Sequence, residues 1–255
     1  MRSMKYCRAC YEGRTIHGWI EGDEIAVLSG DAITGPEAAL SGERVRLAEA
    51  VLLAPCAPTK VVAVGINYRD HAGEMGHELP PDPVIFLKPP SAVIGPGEDI
   101  VKPGSDVRVD HEAELAIVIG RRCKAVKAAD AEDVIFGYTC CNDVTAREIQ
   151  YKDGQWTRGK GYDTFCPLGP WIETVLDAGH TWVESRLNGA VRQHSTTDLM
   201  INSIGRVVEF VSAVMTLLPG DVITTGTPAG IGPMQAGDVV EIEVGGIGIL
   251  RNPVR

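Results

Sequence analysis

With 255 residues, 44% of them apolar, and a formal net charge of −10, the chain has the size and composition of a folded globular protein. That acidity excludes a nucleic-acid binder, which needs a basic footprint against phosphate. No apolar stretch approaches the roughly 18 residues of a membrane-spanning helix, so no membrane partner is expected. The opening stretch MRSMKYCRACYEGR has no apolar signal core, which makes cytoplasmic the expected location. Seven cysteines at scattered spacings then read as free thiols. Cys7 and Cys10 have no second pair to complete a metal site, and Cys140 and Cys141 sit inside an apolar run. Both pairs are expected to be buried structural thiols.

In chain order, MKYCRACY, TIHGWI and EIAVL read as short strands separated by the polar turns EGR and EGDE, a small antiparallel meander. The two prolines of APCAPTK (54–60) mark a boundary between a small N-terminal β domain, residues 1–55, and a main domain, residues 56–255. The main domain is mostly strand-like: VVAVGI, VIFLK, ELAIVIG, VIFGYTC, DVITTG, DVVEIEV and GIGILR. WVESRLNGAVRQ places Asn188-Gly189 between two alternating runs, a hairpin signal. One clear helix is expected over about 203–218. Ile204, Val207, Val208, Val211, Val214, Met215 and Leu218 follow its period, and Pro219-Gly220 ends it. A second, shorter helix is expected in CCNDVTAREIQYKDGQW, capped by Asn142 or Asp143. The fold class is therefore mixed, β-rich α+β.

Two glutamates interrupt the apolar pattern of DHEAELAIVIG. Glu112 and Glu114 are two apart, so on a strand they share a face at roughly 6.5–7 Å. A pair of carboxylates entering a core needs a partner, because an unpaired buried charge is costly. On the short helix, Asp143, Arg147, Gln150 and Tyr151 fall on one face. Taken alone, Asp143 reads as a helix cap and Arg147 as an exposed residue. Added to the glutamate pair, Asp143 completes an all-oxygen set, which suits a hard cation such as Mg²⁺ or Mn²⁺ better than zinc. His71 and Glu74 in NYRDHAGEMG are three apart. That spacing fits an oriented general base and a surface i,i+3 pair equally well. Lys160, flanked by glycines in TRGKGYDTF, has the character of a solvated lysine. TTGTPAGIGP is glycine-rich but lacks the Gly-Lys-Ser/Thr ending of a phosphate loop.

The ordered set VGINYRDHAGEMG, PVIFLKPPSAVIGPGEDI, DHEAELAIVIG, GYTCCNDVTAREIQ, WTRGKGYDTFCPLGPWI and LLPGDVITTGTPAGIGP resembles the fumarylacetoacetate hydrolase family over about 60–255. The likeness is greatest to the branch of acylpyruvate hydrolases, oxaloacetate decarboxylases and hydroxyheptadienedioate isomerases. The resemblance implies a β-roll of compact sheets with few helices, the N-terminal part forming an antiparallel cap, assembled as a homodimer. It implies that Glu112, Glu114 and Asp143 hold Mg²⁺ or Mn²⁺, with Ca²⁺ as a substitute. It makes His71 and Glu74 a base dyad on a lid spanning about 66–80, and Lys160 a cation that stabilises an enolate, with Asp163 and Thr164 close by. It makes Arg147, Gln150 and Thr227 contacts to a small 2-oxo acid or dicarboxylate. The implied reaction is hydrolysis of a C–C bond in an acylpyruvate such as fumarylpyruvate or acetylpyruvate, leaving a pyruvate enolate on the cation. Decarboxylation of oxaloacetate, isomerisation of a 2-hydroxyhepta-2,4-diene-1,7-dioate type acid, and simple binding of a small acid are the alternatives.

Overall fold

Ala113–Ile119 is apolar at every position after Glu114 because both of its faces are covered. Leu115, Ile117 and Ile119 pack into one apolar cluster with Val183, Val240, Ile242 and Val244. Ala116 and Val118 point the other way, into a cluster with Tyr6, Leu168, Ile172, Cys141 and Cys166. A strand buried on both sides loses the alternation that marks a half-exposed one.

The computed structural model describes residues 3–35, 37–74 and 80–255. Among them, strand Ala113–Ile119 is central to a 12-stranded, mostly antiparallel sheet, between Ile135–Asn142 on one side and Val222–Thr224 on the other. Val222–Thr224 pairs in parallel with Val61–Gly65, which carries Val84–Lys88 at the edge. On the other side, Ile135–Asn142 is followed by Cys166–Glu173, and then by the N-terminal strands Lys5–Tyr11, Arg14–Glu21, Glu24–Leu28 and Leu40–Arg46. These strands have their own apolar cluster, built on Cys7, Ala9, Ile16, Ile25, Val27 and Val45. Tyr6 instead faces the main sheet, edge-on to Trp19 at 5.5 Å and to Phe136 at 5.3 Å.

A separate four-stranded antiparallel sheet orders Ala190–Thr196, Trp182–Leu187, Val239–Val244 and Gly248–Pro253. Its first hairpin turns at Asn188 and Gly189, both at positive φ (52° and 78°), as a two-residue primed turn requires. A third sheet, of Thr145–Ala146, Val109–His111 and Gly232–Met234, lies beside the two glutamates. The expected strand-rich α+β architecture with few helices holds, and its sheets are open. No helix among the described residues is long and apolar enough to cross a membrane. All seven cysteines are free thiols, with Cys7, Cys140 and Cys141 buried and Cys10 partly so.

Both expected helices form, with different ends. The long one spans Ile204–Val214, where the Ser203 side chain accepts the Arg206 N–H. It stops before Pro219 because Leu217 leaves the helix to exchange two backbone hydrogen bonds with Cys123, each 3.0 Å. The short one spans Arg147–Asp153 and begins after Ala146, with no side-chain cap. Asn142 and Asp143 therefore do not cap it. The Asn142 Oδ1 accepts the Glu112 N–H at 2.9 Å, and the Asp143 side chain points into the cleft described next.

Candidate active site

The turn of Val109–His111 into Ala113–Ile119 and the end of Ile135–Asn142 bring three carboxylates together. Side-chain oxygens of Glu112, Glu114 and Asp143 all lie within 4.8 Å of one another, and all three residues are buried. They line a cleft of about 150 Å³ together with His71, Arg147, Gln150, Lys160 and Thr227. Residues that the sequence places between positions 71 and 227 thus meet at one point.

The cations around that point are ordered by the carboxylates. Lys160 Nζ donates to Glu112 Oε2 at 2.8 Å and to Asp143 Oδ2 at 2.6 Å. Lys88, 1% exposed, donates to Asp143 Oδ1 at 2.5 Å and to the Val144 carbonyl at 3.2 Å. Arg147 donates to Asp110 Oδ2 at 2.9 Å, to Gln150 Oε1 at 2.7 Å and to Glu112 Oε1. Among the described residues these bonds engage its Nε and both terminal nitrogens.

Charge explains how these groups titrate. Burial alone would raise the Glu112 pKa, but the Lys160 and Arg147 charges outweigh it and hold that carboxyl well below the usual range. Burial would lower Lys160, but Asp143 and Glu112 raise it above an ordinary lysine, so it stays an ammonium. Glu114 goes the other way. Burial pushes its pKa well up, and the neighbouring Asp143 and Glu112 carboxylates push it further.

Glu114 also forms no ion pair among the described residues; its Oε2 accepts the Gly226 N–H at 2.8 Å. Among the described residues no cation touches this buried carboxyl, and one cation shared with Glu112 and Asp143 would supply a counter-charge in contact with it. Three buried carboxylates whose oxygens lie within 4.8 Å of one another make an all-oxygen donor set, the kind a hard cation takes. The residues present fit a hard divalent ion.

Facing the carboxylates is helix Arg69–Glu74. His71 is 6% exposed, and its Nδ1 lies 3.1 Å from Glu74 Oε2. Glu74 also accepts the Gly230 N–H at 3.1 Å, which ties the helix to the loop carrying Thr227. With Nδ1 on Glu74, the other ring nitrogen is the one free to take a proton. The helix is reached through Ile66, a β-branched residue lining the cleft at φ 56°, the kind of strain that proteins hold at functional sites. Gly65 must be glycine, because a Cβ there would lie 2.4 Å from the Trp156 ring.

Of the expected lid, residues 75–79 lie outside the described residues. Backbone amides of 66–74 should exchange more slowly when Mg²⁺ and oxalate are both added, as measured by hydrogen–deuterium exchange mass spectrometry. Equal protection with and without oxalate would mean that this segment does not gate the cleft.

Asp163 and Thr164 do not join the site. Asp163 is exposed, and the Thr164 hydroxyl accepts the Val101 N–H at 2.9 Å. Their neighbour Lys160 turns inward because helix Thr157–Lys160 ends there, and Gly161 starts a new direction. Tyr151 reaches the rim and is 58% exposed. Sequence reasoning missed Lys88, whose one signal was its place at the end of an apolar strand. It also missed Asp110, the buried partner of Arg108 and Arg147, and Gln193, treated below.

Residues 60–255 match the family model "Fumarylacetoacetate (FAA) hydrolase C-terminal". The chain belongs to the fumarylacetoacetate hydrolase family. Residues 4–55 match a second model, "Rv2993c-like, N-terminal". Protein Rv2993c of Mycobacterium tuberculosis is 58% identical over 211 residues, covering 82% of this chain and 80% of that protein. The mitochondrial oxaloacetate tautomerase FAHD2A of Bos taurus is 42% identical, covering 81% and 70%. A 5-carboxymethyl-2-hydroxymuconate delta-isomerase from Mycobacterium smegmatis superposes with TM-score 0.92 at 51% identity, covering 98% of this chain and 99% of that one. A maleylpyruvate hydrolase from Sphingobium sp. SYK-6, solved with manganese(II) and pyruvate, gives TM-score 0.81 at 32% identity, covering 98% of each chain. Family members are enzymes that hydrolyse, isomerise or tautomerise, and this chain carries an acidic triad able to bind a metal.

Proposed function

We propose that this protein is a divalent-metal-dependent enzyme acting on a small 2-oxo acid through its enolate, and that its reaction is hydrolysis of the C–C bond of an acylpyruvate such as fumarylpyruvate. The observation that carries this reading is the arrangement of a buried His71 imidazole, paired on its outer side with the more exposed Glu74, across one cleft from Glu112, Glu114, Asp143 and Lys160. Glu112, Glu114 and Asp143 would hold Mg²⁺ or Mn²⁺, which supplies positive charge to polarise the 2-oxo group and lower the cost of the enolate.

The protein's own groups do the rest. The Arg147 guanidinium, with Gln150 and the Thr227 hydroxyl, binds and orients the acid. His71 takes a proton from water, and Glu74 holds the ring and stabilises the imidazolium. The water oxygen adds to the distal acyl carbonyl carbon. When that carbon's bond to the pyruvate part breaks, the electron pair passes into the enolate, beside the Lys160 ammonium. A carboxylic acid leaves, and the enolate takes a proton to become pyruvate. By the same resemblance we propose a homodimer as the working form.

A second reading keeps the enolate and omits the water: keto–enol isomerisation or decarboxylation of oxaloacetate or a related dicarboxylate. It is favoured by the bovine tautomerase and the M. smegmatis isomerase, which are 42% and 51% identical against 32% for the hydrolase. A simple acid-binding protein has no need of a buried, carboxylate-oriented imidazole. Purified protein loaded with Mg²⁺ or Mn²⁺ should be assayed with acetylpyruvate, fumarylpyruvate, oxaloacetate and a hydroxymuconate-type acid, with products followed by NMR. Cleavage to pyruvate, fastest for an acylpyruvate and lost with EDTA, is the expected outcome. Proton exchange or carbon dioxide release with no hydrolysis of either acylpyruvate would establish the second reading.

A further inference from the structure

Gln193, on strand Ala190–Thr196, is 1% exposed and lies behind the cleft. Its side-chain oxygen accepts the Ala113 N–H at 2.9 Å and faces His111 Nδ1 at 3.2 Å. Its nitrogen donates to the Pro228 carbonyl at 2.8 Å and to Thr227 Oγ1 at 2.7 Å. Every hydrogen-bonding position of the amide is used.

Two of these partners are backbone groups with fixed roles: an N–H that only donates and a C=O that only accepts. They settle which end of the amide is nitrogen, since a flipped amide would set donor against donor and acceptor against acceptor. Gln193 therefore donates to Thr227, and the Thr227 oxygen is an acceptor in that bond. The hydroxyl hydrogen must point elsewhere. No hydrogen bond donated by Thr227 is found among the described residues, and its side chain lines the cleft.

We propose that Gln193 is a positioning residue that fixes the polarity of the Thr227 hydroxyl, making it a donor into the cleft and so selecting a ligand with an anionic or carbonyl oxygen there. The inference rests on the reading that a small 2-oxo acid binds in this cleft. It adds a reason why an oxygen acceptor is preferred at that point, since Gln193 already takes one of the two lone pairs of the hydroxyl and leaves its hydrogen to be donated. Because the same amide accepts the N–H of Ala113, which lies between Glu112 and Glu114, it also couples this subsite to the strand carrying the carboxylates.

Oxalate binding to the Mg²⁺-loaded protein, measured by calorimetry, tests the proposal on Thr227→Val, Gln193→Met and the double variant. Each single change should weaken oxalate about tenfold. The double variant should be no weaker than the worse single one, because both remove the same donated hydrogen bond. Thr227→Ser should retain oxalate affinity, and Mg²⁺ affinity should be unchanged in Thr227→Val. Gln193→Glu serves as a second probe if Gln193→Met does not fold. It keeps the acceptor toward Ala113 but draws the Thr227 hydrogen back to itself, so oxalate should again weaken. Losses that multiply in the double variant, or an unchanged affinity in the Gln193 variants, would overturn the proposal alone. Wild-type protein that binds no oxalate with Mg²⁺ would overturn the functional reading and this inference with it.

Discussion

Replacing Glu114 by glutamine should abolish metal-dependent turnover and weaken Mg²⁺ or Mn²⁺ binding by at least about 100-fold, while making the metal-free protein more stable. A neutral amide is a poorer ligand for a hard cation than a carboxylate, and changes merely next to a metal ligand already cost about 10–100-fold. The gain in stability comes from the same geometry. Without a cation, Glu114 is buried with no ion pair among the described residues, beside the Glu112 and Asp143 carboxylates. Glutamine keeps an acceptor for the Gly226 N–H and removes the cost of either charging or protonating a buried carboxyl whose pKa is raised. Each kcal/mol gained would raise the melting temperature by about 2–4 °C in a chain of this size. Adding Mg²⁺ should stabilise the parent and not the variant. Calorimetric titration and melting curves with and without EDTA check both halves. If the variant, or Glu114→Ala, keeps full metal affinity and activity, the cation is held elsewhere.

His71→Ala should separate the two enzymatic readings. General-base assistance contributes typically about 10²–10⁴-fold, and acylpyruvate hydrolysis should fall by about that factor because, among the described residues lining the cleft, His71 is the imidazole. Decarboxylation of oxaloacetate needs the enolate stabilised but no activated water. It should fall far less, since Glu112, Glu114, Asp143 and Lys160 remain in place. Metal affinity should not change, because His71 contacts none of the three carboxylates by hydrogen bond. Comparing kcat and KM for the two substrates decides the matter. Equal loss of both activities would give His71 a role in closing the cleft or ordering the substrate, and unchanged hydrolysis would remove it from the mechanism.

The sequence by itself determined the elements and the carboxylate triad. Period-two and continuous apolar runs mark strands because burial on one or both faces leaves a local signature, and Asn188-Gly189 marks a turn because few residues tolerate positive φ. Glu112 and Glu114 stood out because charge inside an apolar run is costly without a partner. The base dyad and Lys160 were local patterns with two meanings, and only the resemblance favoured one of them. The tertiary structure decided which distant groups complete the site. Lys88 comes from a strand at the sheet edge, Asp110 from a strand of another sheet, and Gln193 from a hairpin of a third; nothing in the local pattern of any of them names its partner. Helix ends were decided the same way, since Leu217 is drawn to Cys123 and Asn142 to the Glu112 N–H. A buried polar group is satisfied by whatever the packing of sheets brings within about 3 Å, and that packing depends on contacts between segments far apart in the chain.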